Sequence, residues 1–487
     1  MTGNVAIKFL RRGAVVEYAS PNPMQTVLDY LRLEEKSKGT KEGCNEGDCG
    51  ACTVALGKLQ AGKVVYESVN ACILLMAQLH GKELVTVDDL ARHGVLHPVQ
   101  QAMVDLHAAQ CGFCTPGFVM SLFTLYHQSG ELTRQVVVDH LAGNLCRCTG
   151  YRPIIDAAFK SCVGRVDDHW QHIAATTAQQ LSDLAQGDVF AGSAESFVAI
   201  PATANSLLAL VLQHPDATIV AGATDVGLWI TKQMRVLPKL ILTGGVVELH
   251  EIEDRGDHFK IGAAATYAEA LISIGAIAPD VAETMRRIGS VQVRTSGTIG
   301  GNIANGSPIG DMPPLLIALG ATLVLKSALS ERRLALEDYF VAYGKQDRRP
   351  GEIVWAIEVP KLKSTQAFRA YKISKRFDQD ISAVMAAFRF EILSGKIIAA
   401  RLAYGGMAAT PKRAMLTEAA LMGTLLDDEA SWNTAISTLA QDFTPLSDMR
   451  ASATYRMDIA KNLLRKALLE VSGEKVAALR VLTLGAA

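Results

Sequence analysis

The chain has 487 residues, of which 49% are hydrophobic and 20% charged, and its formal net charge is -1. That length suits roughly three domains, each with its own core, and the near-neutral balance excludes an electrostatic bias towards nucleic acid or membrane. Aromatic residues are sparse at 6%, no basic patch interleaves with them, and no apolar run approaches the ~20 residues of a membrane helix. Neither a nucleic-acid nor a membrane partner is expected.

The first elements read as a hairpin: residues 4–10 and 14–18 alternate apolar and polar around Arg12-Gly13. Val27, Leu28 and Leu31 share a helical face, and Thr53 to Leu56 and Val64 to Tyr66 read as further strands, so a small β-rich unit is expected to end near Val87. Within it lie Cys44-Asn-Glu-Gly-Asp-Cys49-Gly-Ala-Cys52 and, further on, Cys72. This is the C-x4-C-x2-C…C spacing of plant-type 2Fe-2S ferredoxins. Gly43, Gly47 and Gly50 let the loop turn tightly and bring backbone amides towards an anionic group.

From Asp88 the period changes to helical. Pro98 opens a stretch with Val99, Met103 and Leu106 on one face, and Pro116 opens another with Val119, Leu122 and Leu125. Helices around 136–141 and 154–159 complete a four-helix unit. It carries Cys111-Gly-Phe-Cys114 and Cys146-Arg-Cys148, a second four-thiolate set, placed at helix starts and turns where backbone donors favour thiolates. Zinc is an alternative reading here, since Cys111-x2-Cys114 resembles a knuckle, although the one-residue gap in Cys146-x-Cys148 does not. Disulfides would need an oxidising compartment. The first twenty residues lack a secretory h-region and cleavage site, so reduced thiols and a cytoplasmic location are expected. Cys162, the ninth cysteine, has no paired spacing and reads as a helical core thiol.

Residues 164–192, rich in Ala, Gln, Asp and Ser, read as a linker. Beyond it Thr218 to Val220 forms a short strand running into Ala221-Gly222-Ala223-Thr224-Asp225, with a helix through Leu228 and Ile230. A second glycine-rich turn, Gly297-Thr298-Ile299-Gly300-Gly301-Asn302, leads to Ser307-Pro308-Ile309-Gly310-Asp311. Either could be an ordinary tight turn; together they suit close approach to a pyrophosphate. Neither G-x-G-x-x-G nor G-x-x-x-x-G-K-[ST] occurs, so a Rossmann site and a P-loop are poorly supported. Strands at 367–373, 383–390 and 397–404 and a helix at 455–471 follow, with a charged loop, Ser374 to Asp380, between the first two strands.

The two cysteine motifs, with Gln110 before Cys111 and Thr149-Gly-Tyr after Cys148, resemble the paired 2Fe-2S domains of the molybdenum hydroxylases. Ala221-Gly-Ala-Thr-Asp225, Thr298-Ile-Gly-Gly-Asn302 and Ser307-Pro-Ile-Gly-Asp311 resemble that family's flavin-binding loops. The resemblance implies a multidomain α+β chain: a ferredoxin-like β-grasp domain (1–87), a four-helix iron-sulfur domain (88–163), the linker, a two-part α+β FAD-binding domain (193–362) and a C-terminal α+β domain (363–487). It implies iron ligation by Cys44, Cys49, Cys52 and Cys72 and by Cys111, Cys114, Cys146 and Cys148. FAD would be held by Ile219, Val220, Ala221, Gly222, Ala223, Thr224, Asp225, Val226 and Gly227, with Thr298, Gly301, Asn302, Asp311, Val354 and Lys372. A surface cation at a strand end is an equal reading of Lys372.

Two departures from the family pattern are Ile288, where many relatives carry an aromatic shielding the flavin, and Ala223, where some carry Asn. The resemblance further implies NAD as acceptor, arriving near Lys375 to Asp380, and a large partner subunit holding molybdopterin, closest to Gln110 and Cys148. Two small and two large subunits would assemble. Catalytic residues for a purine, or for an aldehyde, nicotinate or another heterocycle, would sit on that partner. A zinc-stabilised scaffold without redox chemistry is the reading from another class.

Overall fold

The structure is a computed structural model that describes residues 6–19, 22–164, 166–184 and 187–473. Residues 4 and 5 of the expected first strand lie outside these. The N-terminal sheet has the order β2-β1-β5-β3-β4. It comprises β1 (Ile7–Arg11), β2 (Ala14–Tyr18), β3 (Thr53–Gln60), β4 (Lys63–Asn70) and β5 (Glu83–Val85). β1 runs parallel to β5 and the other pairs are antiparallel. Phe9, Val54, Leu56 and Leu84 point to one side and pack on Val27, Leu28 and Leu31. The last three sit on a short helical segment, Val27–Asp29 continued by Tyr30–Glu34.

Four helices follow: Pro98–Asp105, Thr115–Tyr126, Arg134–Leu141 and Arg152–Ser161. Three of them begin with proline in the first turn, where its missing N–H costs nothing. Thr115–Tyr126 is the central helix; ten of its residues, Gly117 through Tyr126, are buried. It packs on β3 and β4, joining the helices to the sheet in one core.

The described residues of the stretch read as a linker form regular elements. It contains a 16-residue helix, His169–Leu184, and the first strand of the next sheet, β6 (Val189–Gly192). Trp170, Thr177 and Leu181 supply the helix's buried stripe and seat it against β1, β3 and β4. Its polar composition is that of a helix with one narrow apolar face, which explains why it reads as a linker.

Two sheets make the next region. The first has the order β6-β7-β9-β8, with β7 (Phe197–Ile200), β8 (Thr218–Val220) and β9 (Lys239–Leu242) parallel to one another. The second, β10-β11-β16-β12-β13, is antiparallel throughout. Its strands are β10 (Ile252–Asp254), β11 (His258–Gly262), β12 (Thr322–Lys326), β13 (Glu331–Ala335) and β16 (Ile353–Pro360), with a small hairpin, β14 (Phe340–Ala342) and β15 (Lys345–Gln346), beside it. The glycine-rich segment at 297–302 is a helix start rather than a free turn. Thr298 caps the helix Ile299–Asn305 by accepting the Gly301 N–H at 3.0 Å, the bond an N-cap threonine is suited to make.

The C-terminal region is an antiparallel sheet, β17 (Gln366–Ile373), β18 (Val384–Leu393), β19 (Lys396–Gly405) and β20 (Lys412–Arg413). The helix Ala453–Ser472 packs on it around a core containing Phe388, Phe390, Tyr404 and Trp432. The chain is therefore multidomain α+β. No helix among the described residues is long and apolar enough to cross a membrane.

Candidate functional site

The first four cysteines converge because the loop 44–52 folds back on the turn after β4. Gly47 and Gly50 have φ of +80° and +68°, a region in which a side chain is strained. The loop's amides turn inward: Asp48 and Cys49 N–H donate to Cys44 Sγ at 3.4 and 3.3 Å, and Cys44 N–H donates to Cys49 Sγ at 3.3 Å. Hydrogen bonds from the Cys49 and Cys72 thiols hold Cys44 well below the ordinary thiol range. The same contacts push Cys49 and Cys72 up, so the loop favours a thiolate at Cys44, whose sulfur two backbone N–H groups face, and such inward amides suit an anionic metal–sulfur group.

The second set resolves into two pairs. Cys148 Sγ lies 3.7 Å from Cys111 Sγ, and Cys114 is in hydrogen-bond contact with Cys146. Burial pushes Cys114 up to about 12. Cys146 is net lowered, since bonds from Thr149 and the Cys148 N–H outweigh its desolvation. Pairing of thiols matches two metals with two thiolates each, whereas one zinc would draw four ligands round a single centre. Cys162 lies apart from both sets, at the end of Arg152–Ser161, with its thiol pushed up to about 11 by burial.

Among the described residues, the group of candidate ligands drawn together within 4.8 Å is His97, His127 and Asp168. Their bonds argue against a metal there. His97 Nδ1 accepts the Val99 N–H at 3.3 Å, so in the neutral ring Nε2 carries the proton and donates to Asp168 Oδ2 at 2.9 Å. His127 Nε2 meets the same oxygen at 2.8 Å. Asp168 also accepts the Gln171 N–H and so caps the helix His169–Leu184. Although burial would raise its carboxyl, the two imidazoles hold it well below the usual range.

A cavity of about 650 Å³ opens between the two sheets that follow, within the range of cofactor pockets. Eleven of the sequence-selected residues line it: Ile219, Ala221, Gly222, Ala223, Thr224, Asp225, Val226, Thr298, Gly301, Asn302 and Val354. Val220 is buried beneath them. Gly227 faces the other way, where an added Cβ would lie 2.7 Å from Ile73 Cβ. Asp311 and Lys372 are not on the cavity wall; Lys372 Nζ donates to Asp311 Oδ2 at 2.6 Å and to Ser382 Oγ at 2.9 Å in a buried triad. Ile288 packs against the surrounding core. Ala223 holds φ +61°, a conformation that asparagine tolerates better than alanine.

The cavity's chemistry fits a polar, partly phosphorylated cofactor. Asn302 Oδ1 is buried with no partner, an acceptor awaiting a donor. Asp225 opens onto the cavity, and desolvation raises its carboxyl. Sequence reading missed Tyr267, Arg348 and Arg349 on the same wall. The arginines lie beyond a helix and two hairpins from the glycine-rich loops and are held by Glu352: Arg348 Nη1 donates to its carbonyl and the Arg349 N–H to its carboxylate. Arg-Arg-Pro-Gly is the signal available for them.

The three sites are contiguous. Leu145 N–H donates to the Cys49 carbonyl at 3.0 Å, and Asn144 Nδ2 to the Gly50 carbonyl at 3.0 Å, so the loops of the two cysteine sets touch. Gln292 Nε2 lies 3.1–3.3 Å from Thr53 Oγ1, Asn144 Oδ1 and Ser121 Oγ. On the other side Gln78 Nε2 donates to the Ala221 carbonyl at 3.2 Å, tying the turn after Cys72 to the cavity loop.

Paired thiolate loops beside such a cavity define an iron-sulfur flavoprotein. Residues 11–77 match a 2Fe-2S iron-sulfur cluster binding domain and 86–159 a second 2Fe-2S binding domain. Residues 192–362 match the FAD binding domain in molybdopterin dehydrogenase, and 369–471 the CO dehydrogenase flavoprotein C-terminal domain. The chain is 32% identical to xanthine dehydrogenase/oxidase of Rattus norvegicus over 84% of its length and 34% of the rat protein. It is 31% identical to xanthine dehydrogenase of Drosophila subobscura over 96% of its length and 39% of the fly protein. It thus spans between a third and two fifths of these relatives. A solved chain of CO dehydrogenase from Oligotropha carboxidovorans superposes with a TM-score of 0.53 at 30% identity, covering 56% of this chain and 96% of that one. The chain belongs to the molybdenum hydroxylase family and carries its iron-sulfur and flavin parts.

Proposed function

We propose that this chain is the electron-transfer subunit of a cytoplasmic xanthine dehydrogenase, serving a large molybdopterin-binding subunit in an assembly of two small and two large chains. The observation that carries the reading is spatial order: the second set, with Cys111 and Cys148 exposed, touches the Cys44 set through Leu145 and Cys49, and the Cys44 set touches the cavity loop through Gln78 and Ala221. When bound, the clusters would carry single electrons and FAD would pair them for hydride transfer to NAD.

The protein's own work is then binding, orientation and exclusion of water. The N-terminal domain is read as a β-grasp and the next as a four-helix unit. Cys44, Cys49, Cys52 and Cys72 would hold the inner cluster and Cys111, Cys114, Cys146 and Cys148 the outer. Ile219 to Gly227, Thr298, Gly301, Asn302 and Val354 would cradle FAD, with Asp311 and Lys372 bracing its edge. Phe377 stacks on Arg287 at 4.3 Å, and its loop, Lys375 to Asp380, would border the approach of NAD. Oxidation of hypoxanthine and xanthine to urate would occur on the partner, near Gln110 and Cys148. The two xanthine dehydrogenase relatives, matched across both the iron-sulfur and flavin parts, favour a purine over other heterocycles or aldehydes.

Purification with quantitation of iron, acid-labile sulfide and flavin tests the reading. About four irons and one FAD per chain, with NADH oxidation by an artificial acceptor, are expected. Zinc in place of iron, or absence of flavin, overturns it. Gly222→Ala should separate the two halves, because the added Cβ would lie 1.8 Å from the Ser296 carbonyl oxygen: flavin is lost and iron kept. Co-expression with a molybdopterin-binding chain and a substrate screen tests xanthine against the alternatives.

A further inference from the structure

The helix that leaves the cavity loop, Val226–Thr231, ends at Lys232, which reaches across the domain boundary. Its Nζ donates to the Cys44 carbonyl at 2.5 Å and lies 3.6 Å from Glu46 Oε2. The closer contact is to the backbone of a cysteine whose Sγ receives two N–H donors from the same loop. An exposed Lys–Glu pair alone would mean little. An ammonium bonded to the backbone carbonyl of a proposed thiolate ligand is different, because it holds a positive charge within the same residue as the sulfur.

The geometry points to Lys232 as a positioning residue that sets the reduction potential of the Cys44 site from the flavin-binding domain. This rests on the proposed ligation of a 2Fe-2S cluster by Cys44, Cys49, Cys52 and Cys72. Reduction adds one negative charge to such a cluster, and net charge and hydrogen bonding around its sulfurs govern its potential. Lys232 stabilises the added charge twice, by its field and by polarising the Cys44–Asn45 peptide. Glu46 opposes it. A second cation, Arg376 of the C-terminal domain, approaches the same loop but faces two carboxylates, Asp48 and Asp380, each at 3.9 Å, so its charge is largely balanced. The potential of the inner cluster thereby depends on the flavin domain being docked: the contact that brings donor and acceptor together also favours the electron's arrival at the cluster beside the flavin.

Redox titration of the full chain, followed by electron paramagnetic resonance, tests this. The signal of the inner cluster is identified as the one missing from Cys72→Ser. Lys232→Met should shift the inner cluster's one-electron equilibrium about tenfold towards oxidised, about 59 mV downward, and leave the outer cluster unmoved. Glu46→Gln should shift it upward, Lys232→Arg should stay near the parent, and Arg376→Gln should move it less than Lys232→Met. Two intact signals with an unchanged inner potential in Lys232→Met would overturn the inference. If Lys232→Met loses the cluster, the direction of the Glu46→Gln shift decides: upward supports the electrostatic control, no shift overturns it. Absence of 2Fe-2S signals from the parent chain would instead defeat the ligation on which it rests.

Discussion

Cys52 and Cys72 are 2% and 1% exposed, held where the sheet, the four helices and the flavin-binding region meet, whereas Cys111 and Cys148 stand at the surface. The inner set is built into a junction. Gly50 admits the Gly143 carbonyl so closely that an added Cβ would lie 2.1 Å from its oxygen, and Gly117 approaches the Gly50 carbonyl to the same limit. Around the outer set, by contrast, Phe113, Leu145 and Tyr151 are exposed apolar side chains. The difference teaches that one set of thiols belongs to the fold and the other to its periphery. An inner site gains a fixed distance to its neighbours, and an outer site gains access.

The sharpest way to break this comparison is to remove one ligand from each set. Cys72→Ser and Cys148→Ser should each reduce iron from about four to about two per chain, since a 2Fe-2S cluster needs all four ligands. Their stabilities should diverge. Cys72→Ser places a hydroxyl in a packed core, whereas Cys148→Ser changes an exposed side chain, so the melting temperature of Cys72→Ser should fall well below that of Cys148→Ser. Equal losses, read by scanning calorimetry beside iron analysis, would show that both clusters are structural.

A second test concerns acid. His140, in the helix Arg134–Leu141, is buried under the outer domain, with Nε2 3.0 Å from Thr124 Oγ1 and 2.9 Å from the Ser121 carbonyl. Burial depresses its imidazole from 6.5 to about 4. The unfolded chain therefore binds a proton near pH 6.5 that the folded chain refuses until about 4, so stability is full above pH 6.5 and is lost as pH falls through that window. Below about 4 both states are protonated and this group contributes no further loss. The full effect is about 3 kcal/mol. Denaturant midpoints at pH 7 and 4.5 should lie closer together in His140→Gln than in the parent.

The two cysteine motifs and the small-residue loops were legible because their chemistry is local in sequence. Spacing alone brings Cys44, Cys49 and Cys52 into one turn, whereas the helix that Thr298 caps was read only as a glycine-rich turn. What stayed hidden depends on pairing across long separations. The helix at 169–184 looks like a linker because its apolar stripe is narrow and its partner strands lie over a hundred residues earlier. Lys372 reads equally as a ligand or a surface cation until Asp311 and Ser382 are seen beside it. Arg348 and Arg349 join the cavity wall by way of the strand that follows them. Gln292, in Ser-Val-Gln-Val-Arg, carries no signal at all of the junction it occupies.

That junction offers the finest test of the comparison. Gln292 is 1% exposed, and its Nε2 faces acceptors from the inner loop, Thr53, and from the outer domain, Ser121 and Asn144. If hydrogen bonding holds the two cysteine sets in register, Gln292→Ala should cost about 1–3 kcal/mol and weaken the magnetic interaction between the two reduced clusters, measured by electron paramagnetic resonance. Gln292→Met fills the same space without a donor and separates bonding from packing. A Met variant that keeps the parent interaction would place the register in the close approach of Gly50, Gly117 and Gly143 instead. One that loses it would show that a side chain from the flavin-binding region sets the distance between the two cysteine sets at whose junction it lies.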